Sequence, residues 1–246
     1  MANIHHEASD LRLGVFTRLS EAFVWLRSKL LFVLMVDIVA LILGGLPFVL
    51  LFAYYMGAAQ TPSTVLFMSV AGLWSFLVQQ VAVGMLTLAA EDARLGYPSR
   101  FSAYLSSVLP RLFVLIVLSL AVFILIMVGI MAFFVPGLWL LGVFAVIQPV
   151  LLIDDARWDA LSRCWTLTKG YRWPIIAAFV IFYIGWTVIR VLAGLIAFGS
   201  PLVSIIIEVT LSIVAYSYLP ILMVSVHARL RAIKEGGAQG VAGVFE

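Results

Sequence analysis

The stretch Leu112–Ile153, LFVLIVLSLAVFILIMVGIMAFFVPGLWLLGVFAVIQPVLLI, decides the fold of this chain. It contains no Asp, Glu, Lys or Arg, and the pair Pro136-Gly137 divides it into two apolar runs. A helix rises about 1.5 Å per residue, so roughly 20 apolar residues cross a hydrocarbon core about 30 Å thick. The stretch therefore predicts two antiparallel membrane-spanning helices joined by a tight turn.

Four further apolar runs flank this pair, which makes six predicted spans. They are Leu30–Met56, Val65–Ala90, Leu112–Val135, Leu138–Ile153, Ile175–Phe198 and Leu202–Val226. Composition agrees, because 64% of residues are hydrophobic and 11% are charged, against about 25% charged in soluble proteins. We predict an all-α, six-helix transmembrane bundle. Residues 1-246 form one integral membrane domain, and 1-10 and 235-246 are predicted disordered tails.

The loops alternate between charged and uncharged, which predicts the orientation. Three short connections, at 60–63, 136–137 and 199–201, contain no charged residue. Fourteen of the fifteen lysines and arginines lie in the other loops and near the termini. The positive-inside rule then predicts a multi-pass protein of the bacterial inner membrane with both termini in the cytoplasm. We therefore attribute the high pI to the cytoplasmic cations, which face anionic membrane lipids, and we expect no nucleic-acid partner.

Each cytoplasmic segment is predicted to form an amphipathic helix that lies in the headgroup plane. The segments are Leu11–Leu26, Ser99–Leu109 (capped by Ser99) and Ala156–Lys169. The last begins after Asp154 and carries Trp158 and Trp165 opposite Arg163, with Asp159 four residues before Arg163 and Lys169 at its end. The chain can thus be three repeats of one amphipathic helix plus two spans, or linkers at a lipid surface can become amphipathic without any repeat.

The residues Val135–Trp173 carry a family resemblance. A Pro-Gly turn, a span containing Pro149, the acidic Asp154 and the segment ALSRCWTLTKGYRW (160–173) occur in that order. This resembles the YciC-like family of bacterial inner-membrane proteins and the related membrane domain of glycerophosphoryl diester phosphodiesterases. Cys164 stands where the family usually has Ser. The resemblance implies a six-span membrane module of uncertain role, and it does not imply phosphodiester hydrolysis, since this chain has no room for a soluble catalytic domain.

Ionisable residues inside predicted spans are rare and suggest function, because each costs about 2.5–3.5 kcal/mol near the bilayer centre. Arg190 lies nine residues before Gly199, and Glu208 lies nine residues after it, so the two reach the same depth in an antiparallel hairpin. We predict an intramembrane ion pair. It can be a structural lock or part of a substrate site.

A second polar group surrounds Asp37. Gln79 and Gln80 lie at a comparable depth in the next span, and Gln148 lies in the same leaflet. These four residues can line a polar cavity open to the cytoplasm. The alternative is ordinary hydrogen bonding between helices, which the sequence favours because it indicates no second carboxylate or cation nearby.

The sequence contains no recognisable catalytic or metal-binding motif, so we predict a non-enzyme without a cofactor. The lone Cys164 is expected to be an inert thiol. We expect a non-catalytic inner-membrane protein that organises lipid or partner proteins through its cytoplasmic helices. The alternative is a transporter or flippase-like carrier of a small amphiphile. The sequence indicates no oligomeric state.

Overall fold

A computed structural model describes residues 14–55, 62–196 and 200–235. The described residues form α1 Val15–Ser28, α2 Leu30–Ala40, α3 Leu46–Tyr55, α4 Pro62–Leu95, α5 Phe101–Val108, α6 Leu112–Ala132, α7 Phe134–Phe144, α8 Ile147–Leu152, α9 Ala160–Thr168, α10 Arg172–Ile196 and α11 Pro201–Lys234. Six helical runs are long and apolar enough to cross a membrane: 30–51, 63–95, 101–132, 134–152, 172–196 and 203–234. The all-α, six-span prediction is confirmed at this level. The predicted tail 1-10, and 236–246 of the C-terminal one, lie outside the described residues.

The first span is interrupted by a π-helical turn at Leu41–Gly45, which joins α2 to α3. Pro47 has no N–H, so it leaves the carbonyl of Leu43 without its usual donor four residues on. The indole Nε1 of Trp74 in α4 donates to that carbonyl at 2.7 Å. Ser75 Oγ donates to the carbonyl of Gly44 at 2.7 Å. The second span thus supplies donors to two carbonyls of this turn, including the one that Pro47 leaves without its usual backbone donor, as a bilayer without water requires.

The turn between the third and fourth spans lies at Phe133, not at Pro136-Gly137 as predicted. Phe133 is extended (φ −156°, ψ 133°), and α7 begins at the next residue. Proline is tolerated in the first turn of a helix, because the N–H that it lacks would have no partner there. Gly137 instead allows close packing: a Cβ on Gly129 of α6 would lie 2.9 Å from the Cα of Gly137.

The fourth span is also discontinuous. Helix α7 ends at Phe144, and α8 begins at Ile147. Pro149 accounts for the break, since its ring clashes with the carbonyl four residues earlier, that of Ala145, and it cannot donate to it. Gln148 is the second residue of α8, next to the break. This span is the most buried of the six, because 56% of the residues in its apolar stretch lie inside the protein. The break therefore lies among the neighbouring helices of the bundle.

A short helix precedes each pair of spans, but the predicted details need correction. Helix α5 begins at Phe101, its N-cap is Arg100, and no side chain caps it, so the predicted cap at Ser99 is wrong. The apolar face of α5 packs on the protein, because Tyr104 and Val108 are buried. Helix α9 begins at Ala160, after a 3-10 turn at Arg157–Asp159.

Packing is uneven along the bundle. On α11, residues 217–227 are mostly buried, whereas 203–209 are mostly exposed. On α4 the buried positions concentrate at 80–90 and on α10 at 175–178. We call the well-packed half the cation-rich end, because α1, α5 and α9 and their arginines lie there. In the opposite half, two cavities separate parts of α11 from the neighbouring helices.

Candidate functional site

A cavity of about 350 Å³ lies between the first span, α4 and α11. We call it the polar cavity. It is lined by Asp37, Ala40, Leu41, Gly45, Ser75, Gln79, Glu208, Val209, Ser212, Ile213 and Tyr216. Every one of these residues belongs to a helical run that can cross a membrane. Two carboxylates, an amide and three hydroxyl groups thus surround one space inside the predicted bilayer.

Asp37 forms the end of the cavity nearest the cation-rich end. Its side chain is buried, and it accepts a short hydrogen bond from the hydroxyl of Ser217 in α11. Ser217 also donates toward the carbonyl of Ile213, as a helical serine commonly does. A neutral hydroxyl therefore holds the Asp37 carboxyl in place.

Glu208 lines the same cavity nearer the other end of α11. Nine residues separate it from Ser217, which is a rise of about 13 Å along the helix. Arg190 of α10 donates to Glu208 in an ion pair in which both side chains are about half exposed. A second space of about 380 Å³, lined by Arg190, Gly194, Ser204 and others, lies on the other side of Glu208. The structure thus brings together Arg190 and Glu208, and it places a second carboxylate and its paired cation beside the cavity that contains Asp37.

The four residues predicted to share one polar cavity separate into two groups. Asp37 and Gln79 line the polar cavity. Gln80 Oε1 instead accepts a hydrogen bond from Gln148 Nε2 at 3.0 Å, and Ser119 Oγ lies at 3.4 Å from the same oxygen. Gln79 and Gln80 diverge because consecutive helical residues point about 100° apart. Gln80 therefore faces the break in the fourth span and joins α4 to α6 and α8.

The π-helical turn forms one wall of the polar cavity, since Leu41 and Gly45 line it. Ser75 contributes to the same wall and holds the turn through the carbonyl of Gly44. Single-turn π segments inside helices occur frequently at functional sites. The first span thus departs from a regular α-helix at the point where it lines the polar cavity.

Ser212 and Tyr216 were not predicted from the sequence. With Glu208 they occupy positions i, i+4 and i+8, which is one face of a helix. That polar stripe was the signal available in the sequence. The contact of Asp37 with Ser217 has no such local signal, because the two residues are 180 positions apart.

Asp154 belongs to a second polar group, at the cation-rich end. It was predicted to begin the interfacial helix, but its side chain is only 2% exposed and lies in an ion cluster. Arg163 Nε donates to Asp154 Oδ2 at 2.5 Å, and His227 Nε2 lies 3.1 Å from the same oxygen. Arg231 Nη1 lies 3.1 Å from Asp154 Oδ1. Glu235 completes the cluster by accepting from Arg163 at 2.7 Å and from Arg231 at 3.0 Å.

The cluster corrects two predictions. Arg163 pairs with Asp154 and Glu235, and not with Asp159, because Asp159 lies in the 3-10 turn before α9. Glu235 was assigned to the disordered tail, yet it lies in this cluster. Burial opposes ionisation of Asp154, but the hydrogen bonds with His227 and Arg163 outweigh it and hold the pKa of the carboxyl below its ordinary value.

The remaining residues of the predicted interfacial helix contact different neighbours. Trp158 packs edge-on against Phe113, and Trp165 packs edge-on against Trp139. The guanidinium of Arg172 lies over both Trp139 and Trp165, at 4.3 and 4.5 Å from the ring centroids. Trp158, Trp165 and Lys169 are exposed. Cys164 is fully buried, and burial, followed by the nearby Asp154 charge, raises the pKa of its thiol to about 12.

No family model matches the chain, no curated protein matches it, and no solved structure matches it. Within 14–55, 62–196 and 200–235, no group of three His, Cys, Asp or Glu side chains is arranged to hold a metal ion. The interpretation therefore depends on the geometry of the polar cavity.

Proposed function

We propose that this protein is a membrane carrier of a small amphiphile or lipid whose headgroup binds in the polar cavity. The observation that carries the proposal is the placement of Asp37 and Glu208 on the walls of one cavity at membrane depth. The sequence favoured ordinary interhelical bonding because it indicated no second carboxylate or cation near Asp37. Glu208 supplies a second carboxylate in the same cavity, at the other end from Asp37, and it is paired with Arg190.

The chemistry of the walls indicates the class of headgroup. The polar cavity contains two carboxylates, which when ionised only accept hydrogen bonds, beside the Gln79 amide and three hydroxyl groups, which both donate and accept. Glu208 is neutralised by Arg190, whereas Asp37 is held by a hydroxyl. A headgroup with N–H or O–H donors, such as a primary ammonium, complements this set.

The loosely packed half of the bundle suits the apolar part of such a ligand. Leu41, Val209 and Ile213 line the polar cavity beside its polar groups. Neighbouring positions on the spans expose Ile42, Ile205 and Ile206. An acyl chain can therefore lie between the helices while its headgroup contacts Asp37 and Gln79.

A lipid-movement assay tests the carrier. The full chain is placed in phosphatidylcholine vesicles containing a trace of acyl-labelled fluorescent phosphatidylethanolamine or phosphatidylglycerol, and dithionite bleaches the outer leaflet. We expect faster movement of the phosphatidylethanolamine, and about tenfold slower movement after either Asp37→Asn or Gln79→Leu, which corresponds to about 1.4 kcal/mol of lost headgroup binding. Thr210→Val is the matched control, since Thr210 is exposed on the same helix and lies outside the cavity lining. Movement that equals that of empty vesicles, or that the cavity variants leave unchanged, contradicts the proposal.

A second candidate is a non-catalytic protein that organises lipid or partner proteins in the envelope through its surface helices. The exposed indoles of Trp158, Trp165 and Trp173 favour it, because exposed Trp rings and cations bind headgroups. Complementation of a deletion strain separates the two candidates. If the protein acts through its surface helices, the double variant Trp158→Ala with Trp165→Ala should abolish rescue, and Asp37→Asn with Gln79→Leu should still rescue. If it is a carrier, the tryptophan variant should rescue and the cavity variant should not.

The location and ancestry belong to the same proposal. The distribution of cations supports a bacterial inner membrane with cytoplasmic termini. A short helix ahead of each pair of spans supports three related units, with α1, α5 and α9 at the cytoplasmic surface. The Val135–Trp173 stretch supports membership of the YciC-like family.

A further inference from the structure

Ser217 Oγ makes two contacts at the Asp37 end of the polar cavity, and together these contacts need two hydrogens. It lies within hydrogen-bond distance of Asp37 Oδ2 and, at 2.9 Å, of the carbonyl oxygen of Ile213. A serine hydroxyl carries a single hydrogen and two lone pairs. While Asp37 is ionised, Ser217 can therefore complete only one of the two hydrogen bonds at a time.

A proton on Asp37 supplies the second hydrogen. A neutral carboxyl has an O–H of its own, which can donate to Ser217 Oγ, and Ser217 can then donate to Ile213. When the proton leaves, the Ser217 hydroxyl turns and donates to Asp37. The Ile213 carbonyl then keeps the backbone N–H of residue 217, four positions on in α11. The same side chains thus satisfy both protonation states of Asp37 without moving a helix.

No fixed cation of the cavity lining balances the charge of Asp37. As far as the described residues form it, the lining contains no lysine, arginine or histidine. Arg190 lies beside the other end of the cavity, where it is paired with Glu208. A buried carboxylate needs a partner charge, because it has lost its hydration. The cavity therefore has a place for one positive charge beside Asp37, which a proton or a cationic headgroup can fill.

The other titratable groups of the surrounding helices lie elsewhere or have partners. On α11 they are Glu208, Tyr216 and Tyr218, and Tyr218 donates to the carbonyl of Leu19 at 2.8 Å. Helix α4 and the π-helical turn contribute only uncharged groups to the lining. On α1 and just before α2 the charged residues are Arg18, Glu21, Arg27 and Lys29. Lys29 precedes Asp37 by eight residues, or about 12 Å of helix, toward the cation-rich end.

We propose that Asp37 is a proton-exchange site, which holds a proton while the cavity is empty and releases it when an ammonium headgroup binds. The inference rests on the carrier proposal and adds the coupling of that carrier to protons. On binding, the O–H bond of the carboxyl breaks, the proton passes to water, and an ammonium N–H donates to the carboxylate. One proton thus leaves for each headgroup that enters. Carboxyl groups at membrane depth commonly serve as such proton sites.

Infrared spectroscopy of the purified full chain tests the protonation state. The protein is held in dodecyl maltoside, which has no carbonyl group, at about pH 5.5, where ordinary carboxyls with a pKa of about 3.9–4.3 are largely ionised. We expect the carbonyl band of a protonated carboxyl, and Asp37→Asn should remove it. Glu208→Gln is the matched control and should leave the band, since Arg190 pairs with Glu208. Octylammonium should diminish the band, whereas octanol, which has no charge, should not.

A second variant covers the case in which Asp37→Asn does not fold. Ser217→Ala removes the acceptor of the carboxyl hydrogen, so the same band should move to higher frequency. A spectrum without such a band, or a band that neither Asp37→Asn nor Ser217→Ala alters, overturns the proton-exchange site. Neither result bears on whether the lipid moves.

The lipid-movement assay with a pH gradient separates the exchange from the carrier itself. Valinomycin and equal K⁺ on both sides hold the membrane potential near zero. One-for-one exchange should enrich labelled phosphatidylethanolamine up to about tenfold in the leaflet that faces the more acidic solution for a difference of about one pH unit. Reversing the gradient should reverse the enrichment. Movement without enrichment overturns the exchange and leaves the carrier standing, whereas no movement overturns both.

Discussion

The indole of Trp74 donates its N–H to the carbonyl of Leu43, the group that Pro47 leaves without a backbone donor. A proline in one span is thus matched by a tryptophan in the next. We expect Trp74→Phe to lower the free energy of unfolding by about 1–3 kcal/mol, because a carbonyl inside the bilayer loses its partner.

A double-mutant cycle with Pro47→Ala tests this relationship. Alanine at 47 supplies an N–H, so Trp74→Phe should cost less in the Pro47→Ala background than in the wild type. The measurement is unfolding in mixed micelles. Equal costs in both backgrounds would show that the indole does not substitute for the missing donor.

The pair Arg190–Glu208 should behave as a unit. Either Arg190→Leu or Glu208→Leu alone leaves one charge without its partner at membrane depth, so each should destabilise the fold more than the double change does. Thermal unfolding in lipid nanodiscs measures the three variants. Simple additivity of the single effects would mean that the pair does not contribute to stability.

Cysteine labelling should reveal the orientation. In a Cys164→Ala background, an impermeant maleimide added to intact cells should label Phe133→Cys and spare Lys169→Cys. Both positions are exposed in the structure. Inverted vesicles should give the reverse pattern. Labelling of position 133 from the cytoplasmic side alone would invert the topology.

The ion cluster around Asp154 should make the free energy of unfolding depend on pH in the acidic range. The folded protein holds the pKa of Asp154 below 3.8, so its charge stabilises the fold above about pH 4 and the contribution is lost as pH falls through the lowered pKa. At pH 7 we expect Asp154→Asn to cost about 2 kcal/mol, because Arg163 and His227 lose a charged, buried hydrogen-bond acceptor while both arginines keep Glu235.

The difference in free energy of unfolding between the wild type and Asp154→Asn, measured by urea unfolding, should shrink as the pH is lowered from 5 toward 2 (about the range in which carboxylates titrate). Asp159→Asn is the control, since Asp159 is exposed in the 3-10 turn. A difference that stays constant across this range would place the stabilising role of Asp154 in hydrogen bonding alone.

The sequence predicted those features that depend on local pattern. Long apolar runs predicted six spans, because only helices satisfy the backbone inside lipid. The sequence placed the connection between the third and fourth spans at Pro136-Gly137 and not at Phe133. A proline is compatible both with a loop between helices and with the first helical turn, so Pro136 did not distinguish the two positions. The Asp154 cluster was missed, because His227 and Arg231 lie more than 70 positions away and no periodicity connects them.

The polar cavity was predicted in part for the same reason. Asp37 and Gln79 were chosen for their depth, and depth can be counted along a helix. Which side of each helix faces which neighbour depends on packing between distant spans. Gln80 therefore contacts Gln148 and not Asp37, and the stripe formed by Glu208, Ser212 and Tyr216 shows one polar face of α11 but not which neighbour it meets.

The uneven packing of the bundle has a mechanical consequence. Helix α11, which is packed firmly near the cation-rich end and bordered by two cavities in its other half, behaves as a lever, so its displacement grows with distance from that end. The width of the polar cavity should then follow the lateral pressure of the leaflet around the loosely packed half. Lipids with small headgroups and bulky chains, enriched in that leaflet alone, should alter the cavity more than the same lipids placed in the other leaflet.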